Sequence, residues 1–333
     1  MTVAPAPAEQ EETGPAPDAP GPAGWRRTRV LLRRTVVLVL VGAAVYGVGS
    51  GLRGHGGELL RLALRPGALP WLGGAVLVSV AGLLIGARAW RHVVACLGSE
   101  LPPALGLRIF SAALLGKYLP GPLWSAMATV QLGRAAGIPA SRMVGAFLLN
   151  SVVVLITAGV AALLAAPRFL GAGAFWLAPV ALAGAAVFAR PALIAELAAL
   201  AAKVVRRPAV RLVVRPARLR RALLLELLSW LVSGLHLWLI ARVLGVSGAA
   251  ALPVCVGGFA LATACGALAL FAPDGAGVRE LVLTGALATV MTLPQAAAAT
   301  LASRICCSVT ELLGTTVVLI ATRRVAPRVA RTL

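Results

Sequence analysis

The segment Pro273-Asp274-Gly275-Ala276-Gly277-Val278-Arg279-Glu280 combines a helix-stopping proline, glycines that free the backbone, and charged side chains at the start of the next apolar stretch. Pro273 ends the incoming helix. The one after it begins with unpaired N–H groups and a partial positive charge, to which Arg279 adds a guanidinium on the first turn. That combination suits a phosphate. A second break, Gly116-Lys117-Tyr118-Leu119-Pro120-Gly121-Pro122-Leu123-Trp124-Ser125, has a matching layout, with Lys117 and Tyr118 before it and Trp124 and Ser125 opening the helix after it. The competing reading leaves Asp274 or Glu280 as a plain helix cap with Arg279 snorkelling or paired to it.

Other polar residues fall into stripes. Glu226, Ser229, Ser233 and His236 share one side of a helix, as do Thr300, Arg304, Ser308, Glu311 and Thr315, and Asn150 aligns with Thr157. Ionisable groups at membrane depth cost a few kcal/mol and default to a functional role, so Glu226, Arg304 and Glu311 join the candidate binding residues. The hydroxyl and amide residues read as interhelical hydrogen bonds, worth about 0.6 kcal/mol per pair.

Other chemistries lack their motifs. The five cysteines form no CxxC pair and read as small hydrophobes, and His55, His92 and His236 make neither HExxH nor any zinc spacing, so no metal and no cofactor are expected. Gly116-Lys117 is followed by Tyr118 and has Ser111 where a Walker sequence needs its first glycine, which excludes that ATPase motif. With no GxSxG elbow, no paired carboxylates in one loop, and no Cys and His in one segment, no residue is assigned a catalytic role.

These residues need a scaffold, and composition says which kind. The 333 residues are 59% hydrophobic and 13% charged, with a mean hydropathy of +0.91, too apolar for an ordinary soluble domain. Apolar runs at 35–52, 71–87, 143–166, 222–241 and 305–322 are each about long enough to cross a bilayer, and only helices satisfy their backbones there. The net charge of +20 sits beside these runs, in Arg26 to Arg34, in the loop 190–221 and in the tail 323–333. The positive-inside rule places all three clusters, and both termini, in the cytoplasm against anionic lipid, and no nucleic-acid partner is needed to explain the charge. Arg53, Arg61 and Arg65 fall in an external loop against that rule.

The predicted fold is an all-α polytopic membrane protein. Residues 1–34 form a disordered Pro/Ala-rich tail and basic flank, and 35–322 form the membrane domain. About six full spans lie at 35–52, 71–87, 143–166, 172–189, 222–245 and 295–322; the first is an uncleaved span rather than a signal peptide. Between them, 103–134 and 253–292 are each broken by Pro and Gly into half-helices too short to span. These are re-entrant hairpins entering from opposite faces, the pattern of an inverted repeat with a mid-membrane site.

On the two break sequences and Arg304, most of 35–322 resembles the flippase-like membrane domain of lysylphosphatidylglycerol synthetases and its stand-alone relatives. Where that family usually has a second glycine after the proline, this chain has Asp274. The resemblance implies movement of an aminoacylated phospholipid between leaflets. The family's soluble synthetase domain has no counterpart in the sequence, so neither aminoacyltransferase nor other enzyme activity is expected. The expectation is a translocase in the cytoplasmic membrane in which Lys117, Arg279 and Arg304 hold a lipid phosphate, while Glu226, Glu280 and Glu311 balance charge or meet a cationic headgroup. Two alternatives remain: a membrane-embedded transferase acting on a lipid or polyprenyl phosphate, and a partner subunit of a glycosyltransferase or synthetase. The expected partner is a phospholipid or lipid-linked substrate; a separate synthetase or glycosyltransferase, and a second copy of the chain, are left open.

Overall fold

A computed structural model describes residues 65–119, 123–169, 171, 178–194, 196, 215–269 and 272–322. The expected disordered tail, the span 35–52, most of the basic loop 190–221 and the tail 323–333 lie outside these residues. Everything regular among the described residues is helical. The helices are α1 (Ala68–Cys96), α2 (Pro103–Leu114), α3 (Leu123–Ala135), α4 (Ala140–Ala162), α5 (Ala178–Ala189), α6 (Pro216–Val243), α7 (Ala251–Leu268), α8 (Val278–Leu287) and α9 (Leu293–Ala321), with a single turn at Ala166–Phe169.

Five of the described helices, α1, α4, α6, α7 and α9, are long and apolar enough to cross a membrane. Their outer faces stay apolar: Leu77 is 71% exposed and Val317 65%. Large exposed apolar side chains cost free energy in water and nothing in lipid, so the protein is a polytopic membrane protein. The expected span 172–189 is described only over α5.

Helices α1 and α6 run antiparallel along their whole length. The N–H of Arg215 bonds to the Cys96 carbonyl at one end, and the Arg65 guanidinium reaches the Val243 carbonyl at the other. Midway, Gly82 and Gly86 take the hydroxyls of Ser233 and Ser229 in place of side chains, and Ser229 donates to the Gly82 carbonyl at 2.8 Å. Apolar cores fill both ends of this pair. Val93, Ile109, Met143 and Leu219 pack at one, and Leu237, Phe259, Leu283 and Leu287 at the other.

Among the described residues, each break carries a one-turn 3-10 helix; Pro120, Gly121 and Pro122 lie outside them. Leu115–Tyr118 continues from α2 ahead of α3, and Pro273–Gly275 separates α7 from α8. The arms of each hairpin meet where there is no Cβ. A Cβ on Gly275, whose φ is +66°, would lie 2.4 Å from the Gly266 Cα, and one on Gly116 would lie 2.5 Å from the Ser125 backbone nitrogen. Both obstacles are backbone, so no rotamer change relieves them. Gly116→Ala is therefore expected to cost about 1–3 kcal/mol by overpacking, read as a lower unfolding midpoint in detergent. An unchanged midpoint would mean that the arms of the first hairpin separate freely.

The half-helices α2, α3 and α8, at 12, 13 and 10 residues, are too short to cross, as expected. Helix α7 corrects that expectation: its 18 residues reach spanning length, because the apolar stretch starts at Ala251 and runs unbroken to Leu268. The order long helix, broken pair, long helix over 68–162 recurs over 216–321. The first members of the two series, α1 and α6, are antiparallel.

Candidate functional site

Both 3-10 turns meet beside α9, and their side chains form a compact ionic cluster. Lys117 stands at the end of its turn with Nζ 2.7 Å from Oε1 of Glu311 and 3.2 Å from Oδ1 of Asp274. Tyr118, which is buried, donates its hydroxyl to the other Glu311 oxygen at 2.7 Å. Asp274 is the one non-glycine among the described residues with a left-handed backbone, at φ +50°. Asp tolerates that region through its short polar side chain, and here the tolerance is used to aim a carboxylate between two cations. The second cation is Arg279, 3.7 Å from Asp274 Oδ2.

Arg279 is 5% exposed and held loosely. Its other contacts are the Cys307 sulfur at 3.8 Å and the face of Phe259, 5.4 Å from the guanidinium carbon. None of these is a short hydrogen bond, so among the described residues the guanidinium keeps donors that a ligand can use.

A cavity of about 450 Å³ opens over this cluster. Lys117 and Ser125 of the first hairpin line it, with Asp274 and Arg279 of the second and Glu311 of α9. Its far wall comes from the middles of α1 and α6, at Ser79, Gly86, Glu226 and Ser229. The void therefore lies at mid-length of the antiparallel pair α1 and α6. Glu226 is 8% exposed, and no cation pairs with it among the described residues.

The sequence-predicted residues divide by place. Lys117, Ser125, Glu226, Asp274, Arg279 and Glu311 line the cavity, and Tyr118 stands behind it, fixing Glu311. Glu280 and Arg304 lie elsewhere and belong to the scaffold. Glu280 accepts the Gly277 N–H at 2.7 Å, capping α8, and its other oxygen pairs with Arg304. Arg304 therefore does not join the anion site expected for it, and part of the α8 helix start is occupied by its own third residue. Trp124, 40% exposed, lies outside the lining.

Of the polar stripes, Thr157, Thr300 and Thr315 make interhelical hydrogen bonds as expected, whereas Asn150 and Ser233 line the cavity. Trp230 donates to Thr157, Thr284 pairs with Thr300, and Thr315 bonds to the Ser111 carbonyl. Sequence reasoning missed Cys307. Its neighbours Arg279 and His236 lie 28 and 71 residues away, a separation with no local signal.

The family described as the lysylphosphatidylglycerol synthase TM region matches residues 30–314, which takes in both hairpins, α9 as far as Gly314 and every cavity-lining residue named above. The chain belongs to this family. No curated protein matches it. As a lysylphosphatidylglycerol synthase TM region it is a membrane protein of lipid handling, and the matched span contains the whole ionic cluster.

Proposed function

We propose that the protein is a lipid translocase whose cavity carries a phosphate-containing headgroup across the cytoplasmic membrane. The observation that carries this reading is the buried, loosely held Arg279 in a cavity at mid-length of two spanning helices. A volume of about 450 Å³ falls within the range of ligand pockets, roughly 300–1,000 Å³, and accommodates a headgroup while the acyl chains stay in lipid. Glu226 stands on the wall opposite the ionic cluster and offers a place for a headgroup ammonium. The hairpins are re-entrant and the two series form an inverted repeat, so rocking one against the other exposes the cavity to each leaflet in turn. Gradients or partner proteins supply the drive.

Reconstitution into liposomes with a panel of headgroup-labelled lipids tests the reading. Movement should require a phosphate headgroup, and Glu226→Gln should slow lipids bearing an ammonium about tenfold while sparing purely anionic ones, the loss of one charged contact at about 1.4 kcal/mol. No movement of any phosphate lipid would defeat the proposal. Its topology has a separate test. Both termini and the loop 190–221 are expected in the cytoplasm, so reporters fused at Leu333 and after Arg211 should be active only inside; external activity at either site would reverse the orientation.

A further inference from the structure

Behind the cavity wall, three helices bring together a thiol, an imidazole and a guanidinium. Cys307 of α9 lines the cavity, with its sulfur 3.7 Å from Nε2 of His236 on α6 and 3.8 Å from Arg279 on α8. His236 is fully buried and edge-on to Phe259, with ring centroids 4.8 Å apart. Its Nδ1 lies against the Ser233 carbonyl, which only accepts. Nδ1 must therefore carry the proton, and Nε2 is left as a basic lone pair. Facing it are two donors, the Ser303 hydroxyl at 2.7 Å and the Cys307 thiol. A nucleophile within reach of a base, and a base oriented by a third group, is the arrangement that activates a thiol. The adjacent cysteine is a built-in control: Cys306, about a hundred degrees further round α9, contacts Ser79 of α1, with no histidine contact among the described residues.

We propose that Cys307 is a reactive thiol that His236 activates toward soft carbon electrophiles entering the cavity. In the step, the thiol proton passes to Nε2 as sulfur forms a bond to the electrophilic carbon. For a Michael acceptor the double-bond electrons move to the neighbouring carbon, which takes up the proton, so nothing leaves and no oxidant is needed. Arg279 lies close enough to the sulfur to stabilise the negative charge that develops there. An adduct at this position stands beside Arg279 and fills the anion end of the cavity. That last consequence rests on the translocase reading, whereas the reactivity does not.

The test uses the full chain in liposomes, N-ethylmaleimide as probe, and peptide mass spectrometry to follow each cysteine separately. Cys307 should be modified at least about tenfold faster than Cys306, and His236→Gln should remove most of that advantage without changing the Cys306 rate. Ser303→Ala, a smaller change in case the histidine variant fails to insert, frees Nε2 for the thiol alone and should raise the Cys307 rate. Equal rates at the two cysteines, or a Cys307 rate indifferent to both variants, would overturn the proposal. If Cys307 is labelled selectively and lipid movement stops, both readings gain support. Selective labelling with movement intact keeps the thiol site and removes the translocase cavity.

Discussion

Arg279→Ala is expected to abolish lipid movement while leaving the protein in the membrane at near-normal amounts. The two halves of that expectation have separate causes. Arg279 meets Asp274 at 3.7 Å and Cys307 at 3.8 Å, both too long for the strong hydrogen bonds of a guanidinium fork, so its donors are free to clamp a phosphate through two prongs. Losing two charge-assisted bonds at about 1.5 kcal/mol each is roughly a hundredfold in affinity. Abundance survives because the carboxylate left behind still has Lys117 at 3.2 Å. Arg279→Lys keeps the charge and loses the fork, so part of the activity should return. Measuring abundance and movement together decides the matter. Normal transport by the alanine variant, or disappearance of the protein, would remove Arg279 from the role of anion ligand.

Lys117 should behave in the opposite way. Its ammonium makes the shortest ion pair of the cluster, 2.7 Å to Glu311, and is the one cation that touches Glu311 among the described residues. Lys117→Met therefore strands a largely buried carboxylate, and breaking such a pair from one side costs about 3–5 kcal/mol. The expected result is a large fall in abundance and in the unfolding midpoint, before transport is measured at all. Adding Glu311→Gln should recover most of the loss, because Gln still accepts from Tyr118 and Asp274 still faces Arg279. Should Lys117→Met prove stable alone, the cluster does not hold the two turns together.

Much of this fold is legible in hydropathy, since a spanning helix is specified by length and apolarity within one segment. The runs 71–87, 143–166, 222–245 and 295–322 fall on α1, α4, α6 and α9, most ends shifted by a few residues, while α1 runs on to Cys96 and α6 begins at Pro216. Both breaks are equally local, because Pro and Gly act on the backbone where they stand. What the sequence conceals is partnership. Glu280 and Arg279 are neighbours in sequence, yet one caps α8 and pairs with Arg304 while the other faces the cavity, a division set by the hundred-degree turn between successive helical residues. The stripe from Glu226 to His236 reads as one face, but its ends serve different places: Glu226 looks into the cavity and His236 into the contact with Ser303 and Cys307. Partnership also decides how α7 packs: Gly257 and Gly258 let it approach the segment after α4 and α8 closely, contacts that no local pattern encodes.

If the protein is the translocase proposed above, the carboxylate that Asp274 aims between Lys117 and Arg279 bears on turnover. Two cations, Lys117 and Arg279, are matched by two carboxylates, Asp274 and Glu311, so an arriving phosphate finds a dipolar lining in place of a positive trap. A glycine there would relax the left-handed backbone and leave an excess positive charge, raising grip on the cargo. Grip is not what a carrier needs, because a headgroup that cannot leave stalls the cycle at its midpoint. On the proposed translocase reading, Asp274 would compete with the phosphate for Arg279, reclaiming the guanidinium as the cargo departs and so resetting the empty carrier for another load.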